Sequence, residues 1–125
     1  MPNVLVADDS GTMRKIIIRS LNALGVKNTT EAADGTQALQ LFQGQPFDIV
    51  LTDWNMPNMS GLDLVRSLRG QNKKTPILMV TTRGAREDIV SAVEAGVNNY
   101  ILKPFTPSVL KEKIDRLLAS ISAAA

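Results

Sequence analysis

The sequence predicts a doubly wound α/β fold, a five-stranded parallel sheet with helices on both faces, and three observations lead there. Short apolar runs alternate with longer stretches of helical period along the 125 residues. The runs are almost continuously apolar, which suits strands covered on both sides. Capping residues and glycines stand where one period gives way to the other.

The strands are read over Val4 to Ala7, more weakly over Asn28 to Ala33, then Ile49 to Thr52, Ile77 to Thr81 and Asn99 to Leu102. The first helix opens at Ser10, whose hydroxyl can cap it, carries Met13, Ile16, Ile17, Leu21 and Leu24 on one stripe, and stops at Gly25. A second spans about Gly35 to Phe42, a third Gly61 to Leu68, and a fourth Ala85 to Ala95, with Gly96 placed for a left-handed end. The last begins after Thr106-Pro107, where proline suits the first helical position, and buries Leu110, Ile114, Leu117, Leu118 and Ile121. Five βα units make one domain over residues 1–125, with the final Ala123 to Ala125 read as a frayed end.

Composition removes whole classes of chemistry. The chain has no cysteine and no histidine, which excludes disulfides, thiolate metal sites, serine triads, imidazole bases and the usual catalytic zinc spheres. Carboxylate, lysine, hydroxyl and hard metals remain. The 14 basic residues exceed the 12 acidic ones only slightly. Those at Arg14, Lys15, Arg19, Lys73, Arg83, Arg86 and Lys111 are scattered as solvated surface and form no stripe for nucleic acid. The opening MPNVLVADD reaches two acids after one short apolar run, so neither a signal core nor membrane insertion is expected, and the location is expected to be cytoplasmic.

In an open parallel sheet, ligands bind beyond the carboxyl ends of the strands. Here those ends offer Asp8 and Asp9, then Asp53, Thr81 and Lys103. One acid at such a place is usually a cap or a turn residue, but two adjacent acids exceed what a cap needs, and Ser10 already supplies one. Unit charges 4 Å apart repel by about 4 kcal/mol at an effective dielectric near 20, so three gathered carboxylates call for a positive partner. Oxygen ligands alone select a hard cation, and a small cluster with room for water suits Mg2+ or Mn2+ and a phosphoryl substrate. Lys103 would then neutralise a phosphoryl oxygen while the Thr81 hydroxyl donates to another, although each taken singly is an ordinary loop lysine or strand threonine. Without histidine or cysteine the nucleophile must be an aspartate. Asp53 is preferred because it stands alone on a central strand, whereas Asp8 and Asp9 read as paired ligands.

The segments VLVADDS, DWNMPNMSG, VTT and KPF, in this order, resemble the signature of bacterial two-component response-regulator receiver domains, over essentially the whole chain. The resemblance is to the stand-alone chemotaxis, CheY-like type, because Trp54 and Asn55 follow the acceptor, and no output domain is expected beyond residue 125. It implies a flavodoxin-like fold with strand order 2-1-3-4-5. It also implies Asp53 as phosphoacceptor, a metal held by Asp9, Asp53 and the backbone carbonyl of Asn55, and Asp8 on a metal-bound water. Lys103 is implied to contact the phosphoryl group and to precede a cis peptide to Pro104, with Thr81 and Tyr100 as a switch pair in which Tyr100 turns inward. By the same resemblance the phosphodonor is a histidine kinase, the output face is the fourth helix, fifth strand and fifth helix, and partners include a flagellar motor switch protein and a phosphatase. The protein is then a monomeric signalling switch in chemotaxis or motility and not an enzyme acting on other molecules.

On the residues alone, Tyr100 is an ordinary amphipathic aromatic, and Met56 and Met59 are loop packing. Ser60 and Arg83 depart from the family pattern, an acid being common at the first and a glutamate standing at the second in the enteric chemotaxis protein. By the resemblance, Arg83 and Asn55 would flank the path of an attacking water. Two other classes are set against this reading, together with a receiver that shuttles phosphate outside chemotaxis. An aspartyl-phosphate hydrolase of the haloacid-dehalogenase type needs an acid where Asn55 stands, and a nucleotide-binding module needs a glycine-rich loop where Asp8 and Asp9 would repel phosphate.

Overall fold

A computed structural model describes residues 2–71 and 74–124, with side chains described as far as Ile121. Lys73, read above as surface charge, and Ala125 lie outside the described residues. The elements follow in the order β1 (Asn3–Ala7), α1 (Gly11–Ala23), β2 (Asn28–Ala32), α2 (Gly35–Gly44), β3 (Ile49–Thr52), α3 (Gly61–Gly70), β4 (Ile77–Thr81), α4 (Arg86–Ala95), β5 (Asn99–Leu102) and α5 (Pro107–Ala124). All strands are parallel in the order β2-β1-β3-β4-β5. This is the flavodoxin-like order expected.

Alternate residues of each strand feed two separate cores. Val4, Val6, Ile49, Leu51, Leu78 and Val80 pack with Ile17 and Leu21 of α1 and with Leu110, Ile114 and Leu117 of α5. Leu5, Val50, Ile77 and Met79 face the other way, onto Phe42, Leu64, Val65, Leu68 and Ala92 from α2, α3 and α4. Each fully buried Leu or Ile contributes about 1.5–3 kcal/mol of apolar burial, so the sheet is fastened on both faces. The two edge strands are the exceptions, with only Ala32 buried in β2 and only Ile101 in β5.

Three expectations change. Ile16 does not join the buried stripe of α1 and is 38% exposed, since Ile17 and Leu21 take the core-facing positions one residue round. Ala85 is the N-cap of α4 and not its first residue, and it offers no side-chain cap. Ala123 and Ala124 continue α5 instead of fraying, as alanine's helix propensity allows. The predicted signals at the other ends hold: Ser10 Oγ accepts from the Met13 amide, and Gly96 closes α4 at φ 117°. Met56 and Met59 pack against the core beneath their loop.

The loop between β3 and α3 is pressed flat by backbone contact. The Gly61 amide donates to the Trp54 carbonyl at 2.8 Å, and a Cβ on Gly61 would stand 1.8 Å from the carbonyl oxygen of Asp53. Gly35, at the start of α2, meets the far side of the loop by donating to the Met59 carbonyl at 3.1 Å. Asn58, at φ 68°, donates a hydrogen bond from its side-chain amide to Oδ2 of Asp34, the N-cap of α2, at 2.8 Å. Because the clash at Gly61 is with backbone, Gly61→Ala should lower stability by about 3 kcal/mol, at the upper end of ordinary overpacking. Urea denaturation followed by the fluorescence of Trp54, the only tryptophan, measures it, and an unchanged midpoint would show that the loop has room to yield.

Candidate functional site

The sheet places the predicted residues before any side chain acts. Its ladder runs one step past the strands: the amide of Asp8 donates to Ala32, that of Asp53 to Ala7, and that of Lys103 to Thr81, at 3.0, 2.9 and 2.8 Å. The neighbouring strands β1 and β3, and β5 beyond β4, thus deliver Asp8, Asp53 and Lys103 to one edge with their backbones fixed. The Lys103–Pro104 peptide is cis, as the resemblance implies.

Asp8, Asp9 and Asp53 each present a carboxylate oxygen within 4.8 Å of the others. At that spacing each pair repels by roughly 3–4 kcal/mol at an effective dielectric near 20. The Lys103 ammonium answers this directly, donating to Asp8 Oδ2 at 2.8 Å and to Asp53 Oδ2 at 3.3 Å. The second oxygens are taken by amides, Asp8 Oδ1 by Ser10 and Asp53 Oδ1 by Trp54, at 2.9 and 2.7 Å. The Asp8 side chain is 1% exposed and that of Asp53 11%, while Asp9 is exposed. Burial of the Lys103 ammonium works against its charge, but the Asp8 hydrogen bond and the Asp53 and Asp8 charges outweigh it, and its pKa stands above the ordinary lysine value. The donor set is oxygen only, clustered and half open, which fits a hard divalent cation that keeps part of its water.

Thr81 lies at the same edge, wholly buried, with its hydroxyl accepting from the Arg83 amide at 3.3 Å. The Tyr100 hydroxyl, half-buried, donates to the Arg83 carbonyl at 2.7 Å. Both members of the expected switch pair therefore bind one residue. Arg83 itself is not merely a flank: its guanidinium lies over the Trp54 ring, 4.7 Å from the centroid, and donates to Asn55 Oδ1 at 3.1 Å. Ser60 is the N-cap of α3 and accepts from the Asp63 amide.

One supporting residue went unread in the sequence. Arg14, taken for solvated charge, donates to the Asp8 carbonyl at 2.6 Å and pairs with Glu31 at 2.8 Å, so it braces the first acid from behind. The signal was its place one turn after Ser10, because helical side chains lean back towards the N-terminus.

Residues 4–115 match the family model described as response regulator receiver domain. The chain is similar to the chemotaxis protein CheY of Pseudomonas aeruginosa, 48% identical over 121 residues that make up 95% of this chain and 98% of the relative. It is similar at the same 48% to chemotaxis protein CheY1 of Helicobacter pylori, over 94% of this chain and 97% of the relative. Among solved structures, the receiver domain of the Francisella response regulator 1452 superposes with a TM-score of 0.90 at 30% identity, covering 100% of both chains. The chemotaxis response regulator CheY4 of Vibrio cholerae does so at 0.86 and 35% identity, covering 94% of this chain and 98% of that one.

Two measurements check this geometry. Lys103→Met removes the cation from two buried carboxylates and should cost about 2–4 kcal/mol in chelator-treated protein, with millimolar Mg2+ restoring part of the loss. Equal stability of the variant and wild type in urea would show that the ammonium does not balance the acids. The second concerns the only tyrosine. Burial first, and then the Asp88 charge, raise the Tyr100 pKa, Arg83 opposes them, and Asp53 adds to the rise. The fold therefore favours the neutral phenol. Its contribution to stability is complete below the ordinary value of about 10 and is lost as pH rises through the higher folded value. Absorbance titration should give a midpoint above the ordinary value, lowered by Asp88→Asn; a midpoint at or below it would place the phenol in water.

Proposed function

This chain belongs to the response regulator receiver domain family, and on that premise we propose that it is a stand-alone response regulator that takes a phosphoryl group from a histidine kinase onto Asp53. The observation that carries the reading is the contact of one ammonium, on Lys103, with both Asp8 and Asp53 at the carboxyl edge of the sheet. An acid cluster alone is a metal site. An acid cluster with a lysine inside it suits an anion as well.

Asp53 is the acceptor because it is the more open of the two carboxylates that Lys103 touches, and its bond to the ammonium is the longer. In the transfer, an Asp53 oxygen attacks phosphorus, the P–N bond of the donor phosphohistidine breaks, and an acyl phosphate forms. The amide of Trp54 keeps the other oxygen turned away and so orients the attack. Lys103 exchanges its carboxylate bonds for a phosphoryl oxygen, and the Thr81 hydroxyl, leaving the Arg83 amide, donates to another. Asp9, Asp53 and the Asn55 carbonyl would hold Mg2+, or Mn2+, with Asp8 reaching it through water. The ion supplies charge neutralisation for an otherwise repulsive approach of anion to acids. Water then hydrolyses the acyl phosphate past Asn55 and Arg83 and returns the carboxylate. The chain catalyses this cycle on itself and is a switch, not an enzyme for other substrates.

The phosphoryl group adds about −1.5 to −2 charges and three acceptors, enough to move Thr81 and, through Arg83, the seat of Tyr100. The surface of α4, β5 and α5 then changes. It exposes Val90, Val93, Leu102 and Val109, an apolar set suited to a protein partner. The names of the chemotaxis relatives support a role in chemotaxis, and the family resemblance adds a flagellar motor switch protein as partner and a phosphatase as antagonist. A monomer in the cytoplasm is consistent with this role, and among the described residues no helix is long and apolar enough to cross a membrane. The comparisons favour it over the hydrolase and nucleotide-binding alternatives.

Incubation with acetyl phosphate and Mg2+, followed by intact mass, tests the reaction. The wild type should gain one phosphoryl group, and Asp53→Asn or added chelator should abolish the gain. A gain that persists in Asp53→Asn would move the acceptor elsewhere.

A further inference from the structure

Arg83 touches the acceptor loop, the switch hydroxyls and helix α4 at once. Its amide and carbonyl hold Thr81 and Tyr100, and its guanidinium lies on Trp54 and bonds Asn55, the two residues that follow Asp53. On its outer side the same guanidinium stands 3.6 Å from Asp88 Oδ1, in the first turn of α4. That turn has little else to fasten it. Its N-cap is Ala85, which makes no side-chain cap bond, and the amides of Asp88 and Ile89 both rely on the Ala85 carbonyl, at 3.0 and 3.1 Å.

The partners of the guanidinium are unequal. Trp54 is buried, so its ring is a fixed platform, and a planar fork can turn on an aromatic face without leaving it. Asp88 offers one charge, half exposed, at a distance longer than a hydrogen bond. A phosphoryl group on Asp53 would offer nearly two charges and three acceptors beside the residues on which the fork already rests. We propose that Arg83 is the positioning residue that passes the charge state of Asp53 to helix α4, its guanidinium turning on Trp54 away from Asp88 and towards the phosphoryl group and so releasing the first turn of α4. This rests on Asp53 being the phosphoacceptor and adds a side-chain route to α4 beside the movement of Thr81 and Tyr100.

The test uses the whole chain with beryllofluoride and Mg2+ as phosphoryl mimic. Binding is followed by calorimetry, the platform by Trp54 fluorescence, and the first turn of α4 by amide hydrogen exchange over residues 86–90. In the wild type the mimic should speed exchange there roughly fivefold, the size of one lost surface ion pair, and shift the Trp54 emission. Asp88→Asn should show the faster exchange before the mimic is added and almost no further change when it binds. Arg83→Lys, which keeps the charge but loses the fork, should keep less than half of the wild-type response. A mimic response of wild-type size in both variants overturns the proposal, as does faster basal exchange in Asp88→Asn with the further effect of the mimic undiminished, the pattern of a purely structural pair. Failure of beryllofluoride to bind wild-type protein overturns the Asp53 reading itself and the coupling with it.

Discussion

Everything at the functional edge answers to one electrostatic constraint. Three carboxylates whose oxygens approach within 4.8 Å are held together by a fold that gains nothing locally from crowding them. The ammonium of Lys103, bonded to two of them, makes the crowding tolerable. Yet it leaves one acid exposed and the edge still negative, so a further cation is the natural complement.

Such an edge needs rigid support, and the sheet supplies it through the backbone. The ladder bonds that fix Asp8, Asp53 and Lys103 lie one step beyond the strands, where a chain usually becomes free. The two cores beneath them are closed by α1 and α5 on one face and by α2, α3 and α4 on the other. Above the edge the hydroxyls of Thr81 and Tyr100 and the guanidinium of Arg83 are held by single hydrogen bonds instead of a ladder.

Much of this was legible in the sequence, for physical reasons. The buried strands announce themselves because both of their faces are apolar, so β1, β3 and β4 fall where the runs of Ile, Val and Leu place them. The site was legible because a parallel sheet puts the residue after each strand at one edge, whatever else the chain does. Contacts between side chains distant in sequence were not. Ile16 and Ile17 are indistinguishable in an apolar run, and only the angle of α1 on the sheet decides which is buried. Arg14 and Arg83 are ordinary surface cations until Glu31 and the Asp8 carbonyl, or Trp54 and Asn55, are brought beside them. The resemblance named Tyr100 as a switch residue, but its bond to the Arg83 carbonyl depends on a loop path that periodicity does not reveal.

The bond between Lys103 and Asp8 joins residues 95 apart, the first strand to the last, on opposite sides of the β3–β4 centre of the sheet. No fragment lacking either end contains both halves of the pair, and a folding intermediate with β5 undocked would carry the acids without their lysine. The balance of charge at this edge therefore closes only once the first and the last strand both stand in the sheet.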